Sequence, residues 1–187
     1  MDLILWAQRL AELKLAGQLE RRWQHVQAVA AKAFRIKDLF DVEDRSIFVA
    51  AAWLHDIGYS PDLVVTGLHA LDGARWLRKQ GAGERLANLV AFHSCAMFEA
   101  EERGLVGPLR SEFEDEESPV RDALWWADMT TGPDGQDMTA HERLAEVRTR
   151  YGPGHTVTRF WARAEPVLMG AVQRTEELLA DARRQPM

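Results

Sequence analysis

The chain has 187 residues, 47% hydrophobic and 28% charged, the composition of a globular domain with room for a sizeable core. Its net charge of -6 argues against a broad nucleic-acid or membrane surface, although a small nucleotide needs only a local cluster of cations. One cysteine, Cys95, excludes a disulfide framework and a cysteine-based zinc knuckle, and reads as a small buried residue in a reducing compartment.

The opening residues turn charged too soon for a signal peptide, and no apolar stretch reaches the roughly 20 residues of a membrane span, so a cytoplasmic protein is expected. Helix follows helix, with no period-2 strand. Residues 2–16 form the first, ended by Gly17. A second, 18–36, carries an inward stripe of Trp23, Val26, Val29, Ala33 and Phe34. Asp44 is the candidate cap of a third helix, which holds Ile47 to Leu54 and stops near Gly58. Helices over 68–80 and 84–103 follow, the latter with Leu86, Leu89, Val90 and Phe92 inward and Gly104 after it. The acidic run 112–117 reads as a solvated loop or cap. Ser118-Pro119 is a favoured helix start, opening a sixth helix to about Met129. Residues 131–135 form a loop, and helices at 139–150 and 158–183 flank a turn at Tyr151-Gly152-Pro153-Gly154. With neither repeat nor linker, the expectation is one compact all-α bundle over 1–187, its motif-bearing core at about 20–132 and the last helices packed on it.

His55-Asp56 ends the apolar run 47–54, and two such groups at the inner end of a core helix are costly to desolvate without a cation to hold them. His25 shares a face with Val29, His93 lies one turn after Leu89, and His69 opens a helix whose Gly73 permits close backbone approach. Asp128 ends the apolar stretch 123–127. Taken singly, each is a hydrogen-bonded core or boundary residue. Together, four imidazoles and two carboxylates on five helices converge if those helices share a centre, as in bundle metal sites. Six ligands exceed the four of a structural zinc and suit two ions sharing a carboxylate.

The ordered set His25, His55-Asp56, His69, His93, Asp128 resembles the HD-domain superfamily of metal-dependent phosphohydrolases, over about residues 20–132. His69 and His93 resemble the added histidines of its binuclear branch, which includes diadenosine tetraphosphate hydrolases, cyclic-dinucleotide phosphodiesterases and mixed-valent diiron oxygenases. The resemblance implies one metal on His25, His55, Asp56 and Asp128 and a second on His69 and His93, with Asp56 bridging. It implies two divalent or trivalent ions, iron or manganese foremost, with zinc, nickel, cobalt or magnesium as alternatives. His55 and Asp56 are then also catalytic, and metal-activated hydroxide cleaves a phosphoester or phosphoanhydride of a small metabolite, a nucleotide foremost. The alternatives are a diiron oxygenase cleaving a carbon bond and a non-catalytic nucleotide-sensing module. This chain departs from the family at Tyr59, where many members carry lysine, and in the tail 129–133 after the last aspartate.

Tyr59 and Arg75 are the candidate substrate contacts. The plainer alternative has Tyr59 packing under its loop and Arg75, with Arg78, balancing acidic surface. His141 reads as an exposed helix-start residue, and His155 as a loop residue that could reach a pocket rim. The expected partner is a small phosphorylated molecule, not a nucleic-acid polymer or a membrane.

Overall fold

A computed structural model describes residues 2–152 and 154–184. It is all-α, with ten α-helices among the described residues: α1 (Leu3–Leu15), α2 (Glu20–Ile36), α3 (Val42–Leu54), α4 (His69–Lys79), α5 (Glu84–Ala91), α6 (Ala96–Arg103), α7 (Val106–Glu112), α8 (Pro119–Met129), α9 (Ala140–Tyr151) and α10 (Thr156–Arg184). None is long and apolar enough to cross a membrane.

Helix α3 is the hub. Phe48 to Ala52 and Leu54 are buried on every side, and α1, α2, α5 and α8 all pack against it. A helix apolar all round belongs inside, and Ala50-Ala51-Ala52 lets four neighbours approach closely. Helix α1 meets it through Ala7, Ala11 and Leu15, one residue per turn, while Leu5 and Leu13 face outward. Helix α10 runs along α8 and also contacts α6 and α9.

The structure corrects four expectations. Asp41, not Asp44, caps α3, its carboxylate accepting from the N–H groups of Glu43 and Asp44. Phe34 is half exposed rather than inward, with Lys37 Nζ 4.0 Å from its ring centroid. The helix expected over 84–103 breaks into α5, a 3-10 turn at His93–Cys95 and α6, because Ser94 (φ 44°) and Cys95 (φ 60°) are left-handed. Helix α7, unforeseen, ends in the first residue of the acidic run, three of whose five acids are ion-paired as well as solvated: Glu112 with Arg75, Asp115 with Arg121 and Glu116 with Arg85. Helix α8 starts as expected, Ser118 Oγ accepting from Arg121 N with Pro119 in the first turn. Pro153 of the expected turn lies outside the described residues.

Candidate metal centre

The six histidines and aspartates singled out above arrive on separate elements. His25 sits mid-α2, His55 caps the C-terminus of α3, and Asp56 follows it. His69 is the first residue of α4, His93 follows α5, and Asp128 lies in the last turn of α8. The approach of α4 to the His-Asp turn depends on glycine at two positions. A Cβ on Gly58 would lie 2.0 Å from the His69 carbonyl oxygen, and one on Gly73 would lie 3.0 Å from Gly58 N. The chain before α4 is clasped by Asp72, whose carboxylate accepts from the N–H groups of Val65, Thr66 and Gly67 and from the Thr66 hydroxyl.

The six groups converge. Donor atoms of His25, His55 and Asp128 lie within 4.8 Å of one another, as do those of Asp56, His69 and His93. Asp56 joins the two sets. Its Oδ2 is 3.3 Å from His55 Nε2 and 3.7 Å from His25 Nε2, while Oδ1 is 3.4 Å from His69 Nε2 and 3.7 Å from His93 Nε2.

The ring orientations are set from behind. Nδ1–H of His25 donates to the Gly132 carbonyl (2.9 Å), that of His55 to Ala52 (2.9 Å) and that of His93 to Val90 (2.6 Å). In the neutral ring a donor bond at Nδ1 leaves Nε2 as the bare lone pair, the tautomer a metal ligand requires. His55 Nε2 is buried with no hydrogen-bond partner, and the Nε2 atoms of His69 and His93 face each other at 3.1 Å. At 3.1 Å the His69–His93 pair shares a single proton as a hydrogen bond, a place that a metal cation could take instead. The donor set, imidazole nitrogens with aspartate oxygens, is the one suited to divalent transition metals, so the residues present fit such ions.

The electrostatics agree. Burial opposes charge on Asp56, but Arg22 and His55 outweigh it and hold its carboxyl well below the usual range. Asp128 is likewise buried, yet its hydrogen bond from His25 and the charge of His55 keep its pKa strongly lowered. Burial works against protonation of His55 too, and the Asp56 and Asp128 carboxylates still raise its pKa to about 9. Both carboxylates thus stay ionised although buried, with the positive charge of Arg22 and of the His55 proton gathered around them.

The centre opens into a cavity of about 260 Å³. Tyr59 reaches its wall with two partners against its ring. Its ring stacks on His69 at 4.0 Å between centroids, and the Arg22 guanidinium carbon lies 4.2 Å from the ring centroid. Arg75 is not on that wall: it makes a two-point ion pair with Glu112 and lines a separate surface groove. His141 is exposed at the start of α9, whereas His155 does reach the cavity rim.

Sequence reasoning missed Arg22, which bonds Asp56 and lines the cavity. Its place three residues before His25 puts it on the same helix face, a position that Arg21, four residues before, shares. Ser94, whose hydroxyl bonds Asp128 Oδ2, was also missed, as were Arg103, Arg143 and Arg150 on the cavity wall.

No curated protein and no solved structure matches the chain. A family model for the HD domain matches residues 22–145, well over half of it, and the matched span contains all six converging groups. The chain therefore belongs to the HD-domain family, a superfamily of metal-dependent phosphohydrolase type.

Proposed function

We propose that this protein is a metal-dependent phosphohydrolase that cleaves a phosphoester or phosphoanhydride bond of a small phosphorylated metabolite, a nucleotide foremost. Two cations, iron or manganese, are held by His25, His55, Asp56, His69, His93 and Asp128. The observation that carries this reading is the position of Asp56, one oxygen toward each of two three-residue groups. Bound cations acidify water and offset the negative charge that builds on phosphoryl oxygens.

The chain's own residues supply the rest. Asp56 offers one oxygen toward each half of the site, and His55, its ring held through Nδ1, would present Nε2 to a cation once that nitrogen has lost its proton. Arg22, stacked on Tyr59 beside Asp56, puts a permanent guanidinium on the cavity wall in a chain that lacks lysine after its His-Asp-Ile-Gly motif. Tyr59 thereby acts as a platform for that cation on the cavity wall.

The test is turnover by manganese- or iron-loaded protein across a panel of nucleotides and other phosphoesters. Metal-dependent release of phosphate is expected, and Asp56→Asn or His55→Ala should lower it roughly 100-fold or more, the scale of losing a key electrostatic contact. Loaded protein that hydrolyses nothing on the panel would overturn the proposal. A mixed-valent iron signal in electron paramagnetic resonance, without hydrolysis, would point to oxygenase chemistry instead.

A further inference from the structure

We infer that α6 and α9 build a second anion subsite in the cavity, which binds a phosphoryl group of the substrate other than the one attacked at the metal centre. The reading rests on the phosphohydrolase proposal only in calling the ligand a substrate; the subsite itself stands on separate residues. Neither α6 nor α9 contributes to the six converging groups, yet Arg103 of α6 and Arg143 and Arg150 of α9 line the same cavity as Asp56, His69 and His93.

The charges on that wall do not balance. Arg103 pairs with Glu99, whereas Arg143 and Arg150 share the single carboxylate of Glu146. Three guanidinia thus face two carboxylates. Arg143 is the pivotal member: it is 6% exposed, bonds Glu146 through one nitrogen at 2.6 Å, and its buried Nε has no partner. That Nε is closed off from solvent, so an anion in the cavity would be met at the terminal nitrogens of the guanidinium, one of which is bonded to Glu146. A guanidinium fork matches the geometry of phosphate oxygens, and two adjacent forks sharing one carboxylate retain donors for a ligand. Arg143 and Arg150 lie seven positions apart on α9, hence two turns along one face, so both present to the same side. The chemical class this selects is a small molecule with at least two phosphoryl groups, either adjacent, as in a phosphoanhydride, or separated, as in a bisphosphate.

Calorimetric titration of manganese-loaded protein with alkylphosphonates tests the inference without any need for turnover. Methylphosphonate offers one anion; methylene-, propane-1,3- and pentane-1,5-bisphosphonate offer two at increasing separation. At least one bisphosphonate should bind roughly tenfold or more tightly than methylphosphonate, the effect of one charge-assisted contact. The preferred spacer tells an adjacent pair from a separated one. Arg143→Met should abolish that advantage, and Arg143→Lys should recover part of it. If Arg143→Met fails to fold, Arg150→Met, at a more exposed position, carries the same expectation. Bisphosphonates binding no tighter than methylphosphonate, or substitutions that weaken both ligands equally, would overturn the subsite. Phosphoester turnover with no bisphosphonate preference would remove the subsite and leave the phosphohydrolase reading standing. An Arg143-dependent preference without turnover would do the reverse.

Discussion

At the scale of single residues, His55 couples the site to pH. In the metal-free protein its imidazole holds a proton up to about pH 9, against an ordinary value of 6.5. A metal binds the neutral ring, so loading at pH 7 must expel that proton. We expect metal addition in weak buffer to release protons, followed by an indicator dye, and affinity to strengthen as pH rises from 6.5 towards 9. Uptake without proton release would contradict the assignment of His55. The sign for stability is opposite. A raised imidazole pKa stabilises the metal-free fold fully below 6.5, and that contribution is lost as pH rises through about 9. The six convergent groups were legible in the sequence because each sits beside an apolar helical stripe, where a titratable side chain is conspicuous. The arginines were not. Arg21 and Arg22 both lie about one turn before His25, yet Arg21 pairs with Asp134 outside while Arg22 reaches Asp56. Spacing alone does not choose between them.

At the scale of elements, the junction between the His-Asp turn and α4 is the tightest constraint. Gly58→Ala would push a methyl group onto the His69 backbone, which has no flexible end to give way. Overpacking of this kind costs about 1–3 kcal/mol or more. Thermal unfolding should show the loss, and metal analysis should show depletion, because His69 is displaced from Asp56. A stable variant with full metal content would show that α4 tolerates a different seat. The sequence signalled this contact through Gly73 beside His69. It concealed the α5–α6 break, because Phe92, Cys95 and Ala96 continue the apolar pattern without glycine or proline. Left-handed φ at two non-glycine residues costs roughly 1–3 kcal/mol each. The strained turn carries His93, whose Nδ1–H reaches back to Val90, and places the Ser94 hydroxyl on Asp128. Strain of that kind is invisible to periodicity because it is imposed by tertiary contacts.

For the whole molecule, the all-α architecture followed from helical spacing and caps, and the central place of α3 from its unbroken apolar run. Helix α7 escaped because Val106–Glu112 is short and holds one fully buried side chain, Leu109. We propose that α10 folds with the motif-bearing core as one unit, since it runs along α8, the helix that holds Asp128. Leu168→Ala, at a fully buried position of α10, should lower stability by about 2–5 kcal/mol within a single cooperative transition. A second, independent unfolding step for the C-terminal helices would refute that unity.

The central claim is that Asp56 bridges two cations, and metal stoichiometry measures it most directly. Elemental analysis of protein purified without chelator should find two transition-metal ions per chain, with anomalous scattering placing one among His25, His55 and Asp128 and the other among His69, His93 and Asp56. Asp56→Asn should reduce occupancy of both positions. Protein that takes up no metal on reconstitution, or that holds an ion away from Asp56, would contradict the account.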